Sequence, residues 1–226
     1  MGIRRGEITT KIVSNGLVFH VDAANRASYP RTGTAVLNDT INGNGGNANS
    51  SPTFTNNAFD FDGTDDYFQY SVTPNDLVGS SFSIGAWINT DVSTQGMIIS
   101  NTNSSRFYIE TYPRGGNLYC HWGIGSSQNS MSSAAQISTD TWHYYIATYD
   151  GNIAKGFLDG VLKDTTTIGA KSYGSNNLRI GFYASHLAFN GEIGPVHIYN
   201  RALSAEEVLR NYNGLRGRFG LWNLAA

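Results

Sequence analysis

The run WHYYIATYDGNIAKGFLDGVLKDTTT, Trp142–Thr167, holds two Asp-Gly pairs, at 150–151 and 159–160. Each pair sits between apolar or aromatic residues. Asp-Gly in that setting is a hairpin signal, because both residues tolerate the positive φ that a tight β-turn requires. The run therefore predicts successive antiparallel strands.

The same pattern extends in both directions. In SFSIGAWINT, Phe82, Ile84, Ala86 and Ile88 alternate with smaller or polar residues, the period of a strand with one buried face. GLVFHVDA, GMIISNT, SRFYIETY, NLYCHWGIG and NLRIGFY read as further strands. AFDFDGTDDYFQYSV reads as a hairpin around Asp62-Gly63, with Phe59 and Phe61 on one face. Residues 38–57, NDTINGNGGNANSSPTFTNN, read as the longest loop. Short strands with turn signals at intervals of about ten residues imply an all-β sandwich or barrel.

One helix is expected. Ser204 with Glu207 three residues on forms a capping box, Val208, Leu209 and Tyr212 supply an apolar stripe, and Gly214 is placed to end it. Residues 1–15 form an arm, 16–213 the domain, and 214–226 an apolar tail with Phe219, Leu221, Trp222 and Leu224. That tail is expected to dock on its own domain or on a partner.

Composition agrees. Of 226 residues, 40% are hydrophobic, 12% aromatic and 14% charged, enough apolar content for a core. The net charge of −2 and scattered basic residues give no nucleic-acid surface. No apolar run reaches membrane-spanning length. MGIRRGEITT has no apolar h-region, so no secretory signal is expected. Cys120 is the single cysteine, so no internal disulfide forms; its strand-like surroundings make it a buried small hydrophobe.

FDGTDDYF, SFSIGAWI, WHYYIATYDG with FLDGV, and LRIGFY with FNGEIGPVHIYNRALSAEEV resemble, in that order and spacing, the laminin-G-like branch of the concanavalin A-like lectin/glucanase superfamily. The resemblance implies a jelly-roll sandwich of two antiparallel sheets with one short C-terminal helix. NGLVFHVDAANRASYP also resembles laminin-G-like virion proteins of tailed bacteriophages. That implies a virion structural or adhesive protein, a capsid decoration or a fibre- or tail-associated component, assembled in the host cytoplasm. Its partners would be other virion proteins or sister subunits, and cell-surface glycan. A free-standing extracellular lectin module and a glycan-active hydrolase are the alternatives.

Glu192 bears on the hydrolase. Retaining glycosidases need two carboxyls roughly 5–5.5 Å apart. On one strand they must lie at i and i+2 or i+4 to share a face. Here Gly194, Val196 and Ile198 occupy those positions. The strand supplies no second carboxylate, and no catalytic residue is assigned; Glu192 is read as scaffold, an acceptor for nearby backbone N–H groups, or as a calcium ligand. The step from Ile193 to Val196 is odd, so Gly194-Pro195 marks a bulge.

No cofactor is required by any motif. The superfamily often carries a structural calcium, and Asp62, Asp65 and Asp66 cluster on one turn, with Glu192 as a further oxygen ligand. For a glycan, alternation places Phe107 and Ile109 inward and Arg106, Tyr108 and Glu110 outward. It likewise places Leu118, Cys120, Trp122 and Ile124 inward and Tyr119 and His121 outward. If the two strands are neighbours, these five outward side chains offer aromatic faces and hydrogen-bonding groups to a saccharide. Replacing Arg106 and Tyr108 by Ala is then expected to abolish binding with little effect on melting.

Overall fold

Among the residues described by a computed structural model, 12–31, 36–55, 57–101, 106–125, 135–183 and 187–221, sixteen strands form two antiparallel sheets. In chain order they begin β1 (Leu17–Val21), β2 (Val36–Asn38), β3 (Gly45–Asn49), β4 (Thr53–Thr55), β5 (Ala58–Asp62), β6 (Tyr67–Tyr70), β7 (Phe82–Asn89) and β8 (Gly96–Asn101). They continue with β9 (Arg106–Arg114), β10 (Asn117–Gly125), β11 (Gln136–Ile137), β12 (His143–Tyr149), β13 (Ile153–Leu158), β14 (Val161–Thr167), β15 (Leu178–Ile180) and β16 (Asn190–Tyr199). The first sheet has the order β14-β13-β12-β7-β16-β5-β4, with β1 also paired to β16; the second runs β11-β10-β9-β8-β15-β6-β3-β2. The expected jelly-roll sandwich is the fold observed.

Both Asp-Gly pairs make hairpins, β12–β13 and β13–β14. At the second, Asp159 and Gly160 take φ of 52° and 81°, the mirror-image geometry that matches strand twist. Asp159 fixes the turn by accepting from Tyr144 N–H and His143 Nδ1, each at 2.8 Å.

The third expected hairpin is not one. Although Gly63 does turn the chain (φ 75°), β5 lies in the first sheet and β6 in the second. The reason is packing. Phe59 from one sheet meets Phe68 from the other with ring centroids 4.7 Å apart, edge to face, and pairing β5 with β6 would remove that contact across the core. Asp66 holds the crossover, accepting from Ser51 N–H at 2.8 Å and Asp62 N–H at 3.2 Å. Residues 38–57 are likewise not one loop: they contain β3 and β4. Their glycines hid the strand. Gly46 is bare because a Cβ there would lie 2.3 Å from the Tyr70 ring.

Two helical turns complete the described chain besides the expected helix. α1 (Pro74–Leu77) is a single turn with Thr73 and Asp76 closing a capping box. α2 (Ala205–Leu215) starts at Ser204, whose side chain accepts from Glu207 N–H, as its sequence predicts. It does not stop at Gly214. It runs into a 3-10 turn, Arg216–Phe219, and ends at Gly220 in the left-handed region. The overrun carries Phe219 onto Trp87 and Trp142, at centroid distances of 4.6 and 4.2 Å. Trp87 also stacks on Tyr144 and Tyr212. This second, smaller core covers the part of the first sheet's outward face around Trp87, Tyr144, Phe157 and Tyr199. Arg218 bonds the buried Asp22 carboxylate at 2.8 Å, and Asn211 accepts from Val13 N–H at 2.8 Å. Through Leu221 the tail therefore packs in cis; Trp222 and Leu224 lie outside the described residues.

Candidate functional site

The C-terminal segment covers the outward face of the first sheet around Trp87 and Tyr144, whereas the second sheet carries an open cavity on its outward face. β9 and β10 are neighbours in register, with Tyr108 opposite Gly123, Glu110 opposite His121 and Tyr112 opposite Tyr119. The inward set is as alternation predicts: Phe107, Ile109, Leu118, Cys120, Trp122 and Ile124 are all buried in the main core.

On the other face, Arg106, Tyr108, Glu110 and His121 line one cavity of about 490 Å³, joined by Gln95, Tyr112 and Arg114, among others. Tyr119 shares the face but does not line the cavity; it pairs with Gln136 toward the sheet edge. Tyr183 and Leu187, from the segment after β15, close the opposite wall. Sequence reading missed these two, since nothing local shows that their segment returns to β8; the tie is Met97 N–H donating to Leu187 C=O at 3.3 Å.

The cavity floor is unusual in its chemistry. Glu110 and His121 are only 4% and 3% exposed, although both are ionisable. Burial raises the Glu110 carboxyl above its ordinary range, partly offset by Gln95 Nε2 donating to it at 2.8 Å. Burial, assisted by the Arg114 charge, lowers the His121 imidazole to about 4, so the ring is neutral at pH 7. Its Nδ1 lies 4.0 Å from Glu110 Oε1, too far for a hydrogen bond. Its Nε2 is buried without a partner, and such atoms cost free energy unless something satisfies them. Tyr112 stacks on the ring at 4.8 Å. Tyr108 lies over Gly123, and burial followed by the Glu110 charge pushes its hydroxyl up to about 12. The cavity thus offers neutral donors and acceptors, two guanidinium groups and aromatic surface. Perturbed ionisable groups gathered in a cleft mark a candidate site.

The acidic residues fall elsewhere. Asp62, Asp65 and Asp66 do converge, with ligand oxygens within 4.8 Å of one another. Asp62 Oδ1 already accepts from Thr64 and Asp65 N–H, and Asp66 holds the crossover described above. Glu192 does not join that trio. It accepts from Asn89 Nδ2 at 3.1 Å and lines a notch of about 400 Å³ with Asp60, Asp62, Asp91 and Asp140, among others. Asp60 is its register partner on β5, a cross-strand carboxylate that no spacing within one strand reveals. Burial, then the charge of Asp91, raises the Asp60 carboxyl. On Glu192's own strand the expected bulge is present, as a register shift between Ile193 and Val196. Gly194 is packed under aromatic rings: a Cβ there would meet Phe219, Trp87 and Trp142 at 3.1–3.3 Å.

The chain belongs to the concanavalin A-like lectin/glucanases superfamily, whose laminin-G-type model matches residues 62–209. No curated protein matches it significantly in sequence. Among solved structures it is similar to domain 4 of AbnA, a GH43 extracellular arabinanase from Geobacillus stearothermophilus, in complex with arabinotriose. The TM-score is 0.67 at 18% identity, over 87% of this chain and 98% of that one. It is also similar to the receptor binding domain of botulinum neurotoxin type G, with TM-score 0.62 and 19% identity over 88% of this chain and 51% of that one. A third is the Trypanosoma rangeli sialidase in complex with the inhibitor DANA, with TM-score 0.64 and 14% identity over 89% of this chain. The chain spans about a third of the sialidase's length (33%). These neighbours comprise binding domains and a glycoside hydrolase, and at such identities they share the fold. Among the described residues, no helix is long and apolar enough to cross a membrane.

Proposed function

We propose that this chain is a non-enzymatic carbohydrate-binding domain whose site is the cavity on β8–β10. The observation that carries the reading is the convergence of Arg106, Tyr108, Glu110 and Tyr112 on one cavity, with the neutral His121 imidazole set in its floor. A sugar hydroxyl both donates and accepts, so it pairs with a carboxylate, a guanidinium or a phenol; tyrosine rings take the apolar face of the pyranose or furanose. The arabinotriose-bound domain of the same fold supports the ligand class. Among the described residues Glu110 is the one carboxylate lining this cavity, whereas glycosidases need two, which supports binding over hydrolysis. The setting we propose is the surface of a phage-like particle, on the strength of residues 15–30 alone.

A glycan-array screen of the purified protein, with calcium and with chelator, tests this. The wild type is expected to give a specific hit that Arg106→Ala and Glu110→Gln both lose. A folded protein with no hit overturns the proposal. Release of reducing ends from the bound glycan, lost in Asp60→Asn or Glu192→Gln, would replace it with hydrolysis at the acidic notch.

A further inference from the structure

The outward face of the second sheet continues beyond the cavity. Register aligns one row of residues across six strands: Gly123, Tyr108, Ser100, Arg179, Gln69 and Asn47 oppose one another in turn. Directly opposed residues in antiparallel strands share a face. At the far part of this row lies a second, shallower concavity of about 340 Å³, lined by Gln69, Ser175, Asn176, Asn177 and Arg179. Its side chains are amides, a hydroxyl and a guanidinium, groups that hydrogen-bond hydroxyls in any orientation.

An aromatic ridge stands between the two concavities. Tyr67 and Phe182 stack with centroids 5.0 Å apart, and the Arg179 guanidinium lies 4.8 Å from the Tyr67 ring centre. The ridge is pinned to the sheet. Ser100 Oγ donates to Phe182 C=O at 2.7 Å, and Arg179 Nε donates to Gln69 Oε1 at 2.9 Å. Both rings remain partly exposed. A fixed, half-exposed ridge between two polar hollows is a surface for a chain that passes over it. Strands are about 4.8 Å apart, so the four steps from β10 to β6 span about 19 Å, the reach of about four sugar units rather than one.

We infer that the site takes an internal stretch of a linear oligosaccharide, laid across the strands from the Tyr108–His121 cavity, over the Tyr67–Phe182 ridge, into the Gln69–Arg179 hollow. This rests on the reading of the first cavity as saccharide-binding. Calorimetric titration of the full chain with arabinotriose and arabinohexaose, and with the matching xylan- and cellulose-derived trimers and hexamers, tests it. For the chain type recognised, the hexamer is expected to bind about tenfold or more tightly than the trimer. Gln69→Ala and Phe182→Ala should each bring the hexamer down to the wild-type trimer's affinity. Equal affinity for trimer and hexamer, with both lost in Arg106→Ala, overturns the extended site and leaves the cavity reading in place. Binding of neither by the folded protein overturns both.

Discussion

Replacing Gly123 by alanine disturbs the floor of the site without removing any polar group. A Cβ at this position would lie 2.3 Å from Tyr108 Cε1, 2.4 Å from Cζ and 2.7 Å from Oη. Carbon atoms in contact sit at about 3.5–4.0 Å, so the ring must leave its place. Gly123 is not among the residues with positive φ, so alanine adds no backbone strain and the effect belongs to the ring. Tyr108 is 7% exposed. A tyrosine side chain buries about 150–250 Å². Returning roughly 100 Å² of it to water costs about 2.5 kcal/mol at about 25 cal/mol/Å². For a chain of this size that lowers the melting temperature by about 5–10 °C. Thermal unfolding followed by circular dichroism measures it. Gly79→Ala is the control: a Cβ there meets nothing within 4 Å. A Gly123→Ala protein melting within about 1 °C of the wild type would refute the placement of Tyr108 on Gly123. The same burial corrects the expectation that Tyr108→Ala leaves melting unchanged; Tyr108→Phe is the cleaner probe of its hydroxyl.

Further outcomes are expected. Phe219→Ala removes the ring that stacks on Trp87 and Trp142; urea unfolding should show a loss of about 2 kcal/mol, with sugar binding unchanged. His121 titrates at about 4 when folded and near its ordinary value, about 6.5, when unfolded. The unfolded chain therefore takes up the proton first, and stability falls as pH drops from about 6.5 towards 4. Discounted for screening by the open cavity, the loss is about 1–2 kcal/mol. His121→Gln should flatten that part of the pH–stability curve, and an unaltered curve would count against the burial of this ring. Calcium is expected to raise the melting temperature by a few degrees through the acidic residues around Asp62 and Glu192. Identical melting in calcium and in chelator removes the metal from the account.

Periodicity made most of the fold legible. Strong alternation in β7, β9 and β10 gave both the strands and their buried faces, and the Asp-Gly pairs gave the hairpins that join β12, β13 and β14. The outward set on β9 and β10 followed from the same alternation, so four of the five candidate ligand residues were found together in one cavity. What sequence did not show was pairing between distant segments. β5 and β6 are joined by a turn that suits a hairpin, yet the aromatic contacts of Phe59, Phe61 and Phe68 across the core send them to different sheets. β3, Gly45–Asn49, carries almost no strand propensity, yet it pairs with both β2 and β6, and its bare Gly46 leaves room for the Tyr70 ring. Tyr183, Leu187 and the ridge at Phe182 join the face only through a loop whose path no local signal gives. The separation of Glu192 from the Asp65–Asp66 turn, and its pairing with Asp60, are equally non-local.

Backbone amide shifts of the ¹⁵N-labelled protein, followed while the best array hit is titrated in, test the central claim most directly. The account predicts that the largest changes fall on β9 and β10, at Tyr108, Glu110 and His121, while Asp60, Asp91 and Glu192 stay still. Changes centred on the acidic notch, with β9 and β10 unmoved, would contradict it.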